Sequence, residues 1–490
     1  MVVSSPHLCH DLEVTSMIVR GQGAREREAD PGRASVRIAA IPSTSLGADA
    51  LTSSDDIFSN EAVMIGECDG ESHNTAATLH YCRRRILRPR DIISSILGYR
   101  QWNKDGANNQ TPCMQTFNFL YFVLFFTCLG FGPVLQYNVC LKRDQGIGNQ
   151  YTRSQNVSSN GHEEIQWCSG SLMFVYVVPS LLFIFAYLVT CVVLRFGETE
   201  HLQTLLERVY LLASCSPWEL TKQRRIWCTF VVWLVAGLVC LVWSLASMLL
   251  HVAAASHIPY SFIIPRTKSD KVGLWVASLG VLWLQDIVVV MSVLLYCTQC
   301  HLLSQLLQLT RTAIYQGDSS LIIIKKQVEE TSRFLRHLNQ ELGLSVGLFL
   351  CLLGFRVTTG AISLFYYLRL YIHPEKMVWK WGGQESQQTF HLLALVFNLL
   401  PWLVLTVLPL CTAARVSSNY RALNKAGSQL HGRPFGYQST PQQDLDSFLL
   451  YVTSLHLHAK ILWIPVRTYF LVSVFVIFVM SFIILSYLYF

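Results

Sequence analysis

Charge is scarce in this chain. Only 14% of its 490 residues are Asp, Glu, Lys or Arg, against 52% hydrophobic. A soluble globular enzyme carries nearer a quarter charged, so the composition fits a polytopic membrane protein. Catalytic groupings are missing too. The sequence holds no Gly-rich phosphate loop, no Ser-His-Asp grouping and no paired carboxylates within an apolar stretch. His251 and His391 lack metal-ligand spacing, and Cys297-x-x-Cys300 has no second pair, so acylation or coincidence fits it better than a metal. The expectation is no enzyme, no cofactor and no metal. The fifteen cysteines are scattered, many inside apolar stretches, unlike a secreted disulfide framework. The net charge of +7 is spread between apolar runs, so it marks orientation and not nucleic acid. No apolar core follows the start, which argues against a cleaved signal peptide. No internal symmetry of the transporter kind is visible.

Seven apolar runs are long enough to cross a bilayer. They are Thr116–Val139, Ser171–Leu194, Ile226–Val252, Val272–Tyr296, Leu342–Ile372, Thr389–Thr412 and Phe470–Tyr489. The chain therefore reads as an all-α membrane protein with seven transmembrane helices. Sixteen Lys and Arg lie in the connections after the second, fourth and sixth runs, and eight in the other three. Positive-inside places the N-terminus in the cytosol and the C-terminus outside, the reverse of a G-protein-coupled receptor. The sequon at Asn156 falls on the outer side and is the glycosylation candidate. Cys140 and Cys168 flank that connection and are a possible disulfide.

Residues 1–110 read as a disordered cytosolic N-terminal tail, since no period of 2 or 3.6 is sustained over the first 80. Its basic run Arg83, Arg84, Arg85, Arg88 and Arg90 suits a topology signal or an anionic lipid. Residues 116–412 hold six spans, whose cytosolic extensions carry apolar stripes: Leu205, Leu206 and Val209; Leu302, Leu303, Leu306 and Leu307; Val328, Leu335 and Leu338. Each stripe needs burial, which predicts a cytosolic helical anchor domain. Residues 440–463 add an amphipathic helix opened by a Thr440-x-x-Gln443 capping box, and 466–490 hold the final span.

Ionisable residues within spans are functional candidates. Asp286 and Arg356 lie at similar depth in antiparallel neighbours, as a structural pair or a ligand contact. Tyr176, Phe183, Trp243, Trp283 and Tyr366 are candidates for an aromatic ligand pocket, with plain packing the alternative for each.

The C-terminal layout resembles the insect gustatory and odorant receptor superfamily. The resemblance rests on Gln443-Asp444-Leu445-Asp446-Ser447-Phe448-Leu449, then Arg467-Thr468-Tyr469-Phe470 and a last span. It implies a plasma-membrane, multi-pass, ligand-gated cation channel, a homo- or hetero-tetramer taking a small-molecule ligand among the first six spans. Under that resemblance Val479, Ile483, Ser486 and Tyr487 would line the pore, with Ile483 at an apolar gate. The family ends in Thr-Tyr, five residues, then Gln and an apolar residue, whereas this chain has Val479, Met480, Ser486 and Tyr487. That departure marks a divergent relative and leaves open a non-conducting protein with a structural or developmental role. A G-protein-coupled receptor is the less favoured alternative.

Overall fold

The computed structural model describes residues 80, 84, 87–102, 112–138, 141–142, 146–147, 173–196, 204–209, 212, 219–254, 268–316, 320–372, 385–429, 441–455, 458–467, 469–474, 476, 480 and 484. Nine helices are labelled here in chain order: α1 Arg88–Ile96, α2 Pro112–Asn138, α3 Val178–Phe196, α4 Glu219–Ala254, α5 Lys268–Gln316, α6 Leu321–His337, α7 Gly343–Ile372, α8 Glu385–Gln429 and α9 Gln442–Ser454. A π-helical turn, Leu338–Leu342, joins α6 to α7 without a break. A π-helical turn, Met173–Val177, leads into α3, and two short hairpins are also described: β1 Leu141–Lys142 with β2 Gly146–Ile147, and β3 Lys460–Ile461 with β4 Ile464–Pro465.

Among the described residues, six helical stretches are long and apolar enough to cross a membrane, and they coincide with the first six apolar runs of the sequence. The protein is a multi-pass membrane protein. A seventh helix begins at 469–474. α2, α3 and α4 turn Phe119, Leu120, Leu124, Leu181, Phe185, Val232, Leu238 and Val242 outward. In water such a face would be unstable, whereas lipid solvates it. α5 is the central helix and buries most of its apolar run. Its 49 residues rise about 73 Å at 1.5 Å each, more than twice a hydrocarbon core of about 30 Å. The excess builds a second bundle beyond the spans.

That lower bundle has its own core. Leu205, Leu206 and Val209 meet Leu302, Leu303, Leu306 and Leu307 of α5, Val328 and Leu335 of α6, Tyr420 and Leu423 of α8, and Leu445, Phe448 and Val452 of α9. Every stripe that the periodicity marked is buried there. A separate core within the spans joins Phe183, Tyr187, Val288, Val293, Phe349, Leu353 and Trp402.

Two boundaries differ from the sequence reading. The stretch taken as a tail contains α1, with Leu87 buried in the lower core and Leu97 and Tyr99 in the span core. Tyr187 donates its hydroxyl to the Leu97 carbonyl at 3.0 Å, and the Tyr99 and Ser292 hydroxyls are 2.7 Å apart. Nine residues carry too little period to announce a helix, so tertiary bonds define it. The second difference is the amphipathic helix read over 440–463. It starts at Gln442, with Pro441 in the N-cap position and no side-chain cap bond, and stops at Ser454. Beyond it the backbone finds partners outside any helix: Tyr420 Oη donates to Leu455 O at 2.7 Å and Ala459 N donates to Ser417 Oγ at 3.2 Å. The chain then turns back as the β3–β4 hairpin.

Candidate functional site

Asp286 of α5 and Arg356 of α7 meet inside the spans. Arg356 Nη1 lies 3.4 Å from Asp286 Oδ1, and their side chains are 4% and 0% exposed. Ser244 of α4 donates its hydroxyl to Asp286 Oδ2 at 2.5 Å. The guanidinium carbon sits 4.6 Å from the ring centroid of Trp402 on α8, and the Trp402 indole N–H donates to Asn398 Oδ1 at 3.2 Å. One buried charge pair thus draws four helices to a point. Its energetics require this crowd, because a buried ion is tolerated only when pairing and further polar partners replace its hydration. The cation over the indole face adds an electrostatic attraction that burial strengthens.

Beside this centre, two helix prolines each free a carbonyl, and each carbonyl finds a partner on another helix. Pro133 in α2 has no N–H to give Leu129 O, and Gln285 Nε2 donates there at 3.3 Å. Gly132 makes that reach possible, since a Cβ there would lie 2.7 Å from Gln285 Nε2. Pro401 in α8 likewise releases Phe397 O, to which the Trp243 indole N–H donates at 2.9 Å while the two rings stack at 5.1 Å. Replacing Gln285 by Leu is expected to cost about 1–3 kcal/mol, the penalty of a buried acceptor left unpaired. Adding Pro133→Ala should return part of that loss by restoring the helix's own N–H. Thermal unfolding of the detergent-purified protein reads both; equal stability of single and double variants would contradict the account.

The sequence candidates separate accordingly. Asp286 and Arg356 come together. Trp243 is committed to α8, and the Trp283 indole N–H points to Leu241 O at 3.4 Å. Phe183 is packed in the span core, and Tyr176 is buried edge-on to Tyr137 at 5.3 Å. The side chain of Tyr366 lies outside the described residues, as do Asn156, Cys140, Cys168, Val479, Ile483, Ser486 and Tyr487. A cavity of about 560 Å³ lies elsewhere, where Tyr121, Phe125, Phe131 and Leu135 of α2 face Val281 of α5. Tyr176, Phe183, Trp243 and Trp283 do not line it. Cys297 and Cys300 are fully buried, so neither thiol is reachable for acylation.

Ser244, Asn398 and Trp402 were missed. Asn398 had a signal, an amide inside an apolar run four residues before Trp402 and so on the same helix face.

No protein-family model matches the chain, and no curated protein does. Solved structures do match. The insect olfactory receptor OR5 from Machilis hrabei in complex with eugenol superposes with a TM-score of 0.55 at 15% identity, over 84% of this chain and 99% of the receptor. A second structure of that receptor gives 0.53 at 14% identity, over 83% and 98%. This chain has the insect olfactory-receptor fold. In an olfactory-receptor fold of this chain's sequence, the polar centre ties α4, α5, α7 and α8 together, and the β3–β4 hairpin stands between α9 and the last helix.

Proposed function

We propose that this chain is a divergent member of the insect odorant and gustatory receptor superfamily and works as a chemoreceptor that is itself a ligand-gated cation channel. The observation that carries the reading is the likeness of fold over nearly the whole length of a receptor, 99% of that chain. The C-terminal stretch from Gln443 to Phe470 supports it independently. In this reading the protein is a plasma-membrane tetramer, the lower bundle is the cytosolic anchor, and a small molecule binds among the first six spans. The charge bias supports that orientation, because Arg208, Arg311, Lys325, Arg333, Arg415 and Lys425 all belong to the lower connections. Four copies of the last span surround one pore, with Val479, Ile483, Ser486 and Tyr487 on its wall. The Asp286–Arg356 centre holds the ligand-bearing helices in register.

Whole-cell current from the chain expressed alone, beside an Ile483→Cys variant, tests this. A thiol reagent applied outside is expected to block the variant and spare the parent. Current that the reagent leaves untouched in both forms would remove Ile483 from the pore. One specific feature favours a second reading, a receptor relative that does not conduct: Val479-Met480 and Ser486-Tyr487 replace the family's closing motif. Surface-expressed protein that stays silent under a broad ligand panel would support it.

A further inference from the structure

Leu462 and Trp463 form the two-residue loop of the β3–β4 hairpin, with φ of +49° and +69°. Hairpin loops of this kind are ordinarily Asn-Gly or Asp-Gly, because positive φ at both positions is costly for residues with bulky side chains. Here the strained pair does two different things. Leu462 turns inward, packed over Gly347, where a Cβ would lie 2.2 Å from Leu462 Cγ. Its N–H donates to Gly343 O at 3.3 Å. Trp463 turns outward and is 84% exposed, with Ile464 at 47% and Tyr469 at 76% beside it in the chain. Lys460 and Arg467 are also exposed.

We propose that Trp463, with Lys460 and Arg467, forms an interfacial anchor that docks into the headgroup layer of a bilayer containing anionic phospholipid. Three independent observations select that partner. The first is depth. The hairpin seats its backbone on Gly343 and its Leu462 side chain on Gly347, in the first turns of α7, and residues 343–355 carry no charge. A few residues after the hairpin, the second charge-free run begins at Phe470. Two apolar runs thus begin at the hairpin, where the boundary of the hydrocarbon core belongs. Indole and phenol rings favour that boundary, with an apolar body in the acyl region and a polar tip among headgroups. The second is charge. From Ser447 to Phe490 the chain has no Asp or Glu, so the cations nearest Trp463 in the chain have no acidic neighbour in this segment. Anionic headgroups complement them. The third is rigidity. Asn339, in the π-helical turn, clasps the hairpin's first strand by donating Nδ2 to His458 O at 2.8 Å and accepting Lys460 N–H on Oδ1 at 2.7 Å. Val466 N closes the hairpin on Ala459 O at 2.9 Å. A tip held this firmly keeps its indole at one depth.

The inference needs only that the chain spans a bilayer and is independent of whether it conducts. Its test is tryptophan emission of the full chain in phospholipid nanodiscs, for the parent and for Trp463→Phe, the difference being the emission of Trp463. Because Trp463 is exposed, the variant is expected to elute from size exclusion like the parent. Lipid brominated high on the acyl chain is expected to quench the difference emission, and aqueous iodide to leave it unchanged. Quenching by iodide would place Trp463 in water and overturn the proposal. Quenching by neither would show it covered by protein, a second copy of this chain foremost, and would overturn it equally. In nanodiscs with rising phosphatidylserine, brominated-lipid quenching is expected to increase for the parent and to stay flat for Lys460→Gln. Equal dependence in both would remove that cation from the site.

Discussion

Arg356→Met is expected to lower stability by about 3–5 kcal/mol, the usual cost of stranding one member of a buried ion pair. Asp286 would keep the Ser244 hydroxyl but lose its cation, and Trp402 would lose the charge lying 4.6 Å from its ring. The companion expectation sharpens the test. Arg356→Met combined with Asp286→Asn should recover most of the loss, because neutralising both partners leaves no uncompensated charge. The readout is the surviving monodisperse fraction after stepwise heating in detergent, compared across the four members of the cycle. Additive losses in the double variant would mean that the two residues act separately, against the geometry of a 3.4 Å contact.

Gly347→Leu should produce the second large effect, through shape and not charge. Even a bare Cβ at that position would fall 2.2 Å from Leu462 Cγ and 2.7 Å from Leu462 Cδ2. The atoms in the way belong to the Leu462 side chain, whose strand is held by Asn339 and Gly343, so a leucine there is expected to displace the hairpin. Overpacking of this kind costs about 1–3 kcal/mol. The local consequence is measurable by hydrogen exchange. Amides of Lys460, Leu462 and Val466, bonded to Asn339 Oδ1, Gly343 O and Ala459 O, are expected to exchange faster in the variant. Leu462→Ala in the same chain should restore part of their protection by vacating the space. Unchanged exchange in Gly347→Leu would show that the notch does not seat the hairpin. The hairpin joins α9 to the last helix, so under the channel reading the same variant is also expected to shift the ligand concentration for half-maximal current.

The apolar runs of the first six spans and the stripes of the lower bundle were legible because their signal is local. Leu302, Leu303, Leu306 and Leu307 announce a buried face by spacing alone, and so do Leu445, Phe448 and Val452. Asp286 and Arg356 were legible for another reason. An ionised side chain in an apolar run has few tolerable environments, so each implied a partner and depth supplied one.

What the local pattern could not convey was where a backbone group finds its partner. Residues 455–463 continue the apolar period of α9, and by pattern the helix runs on. It ends because the Tyr420 hydroxyl, the Ser417 hydroxyl and the Asn339 amide, 35 to 121 residues away in sequence, take up its carbonyl and N–H groups. The same applies to Gln285 and Trp243, whose donors answer carbonyls released by prolines on other helices. Hydrophobic periodicity, span length and charge bias are sums over neighbours in the chain, so the sequence by itself determined a multi-span helical membrane protein with a second helical bundle. The docking of α1, the four-helix polar centre and the hairpin on Gly343 and Gly347 depend on groups far apart in sequence, and only the tertiary structure decided them.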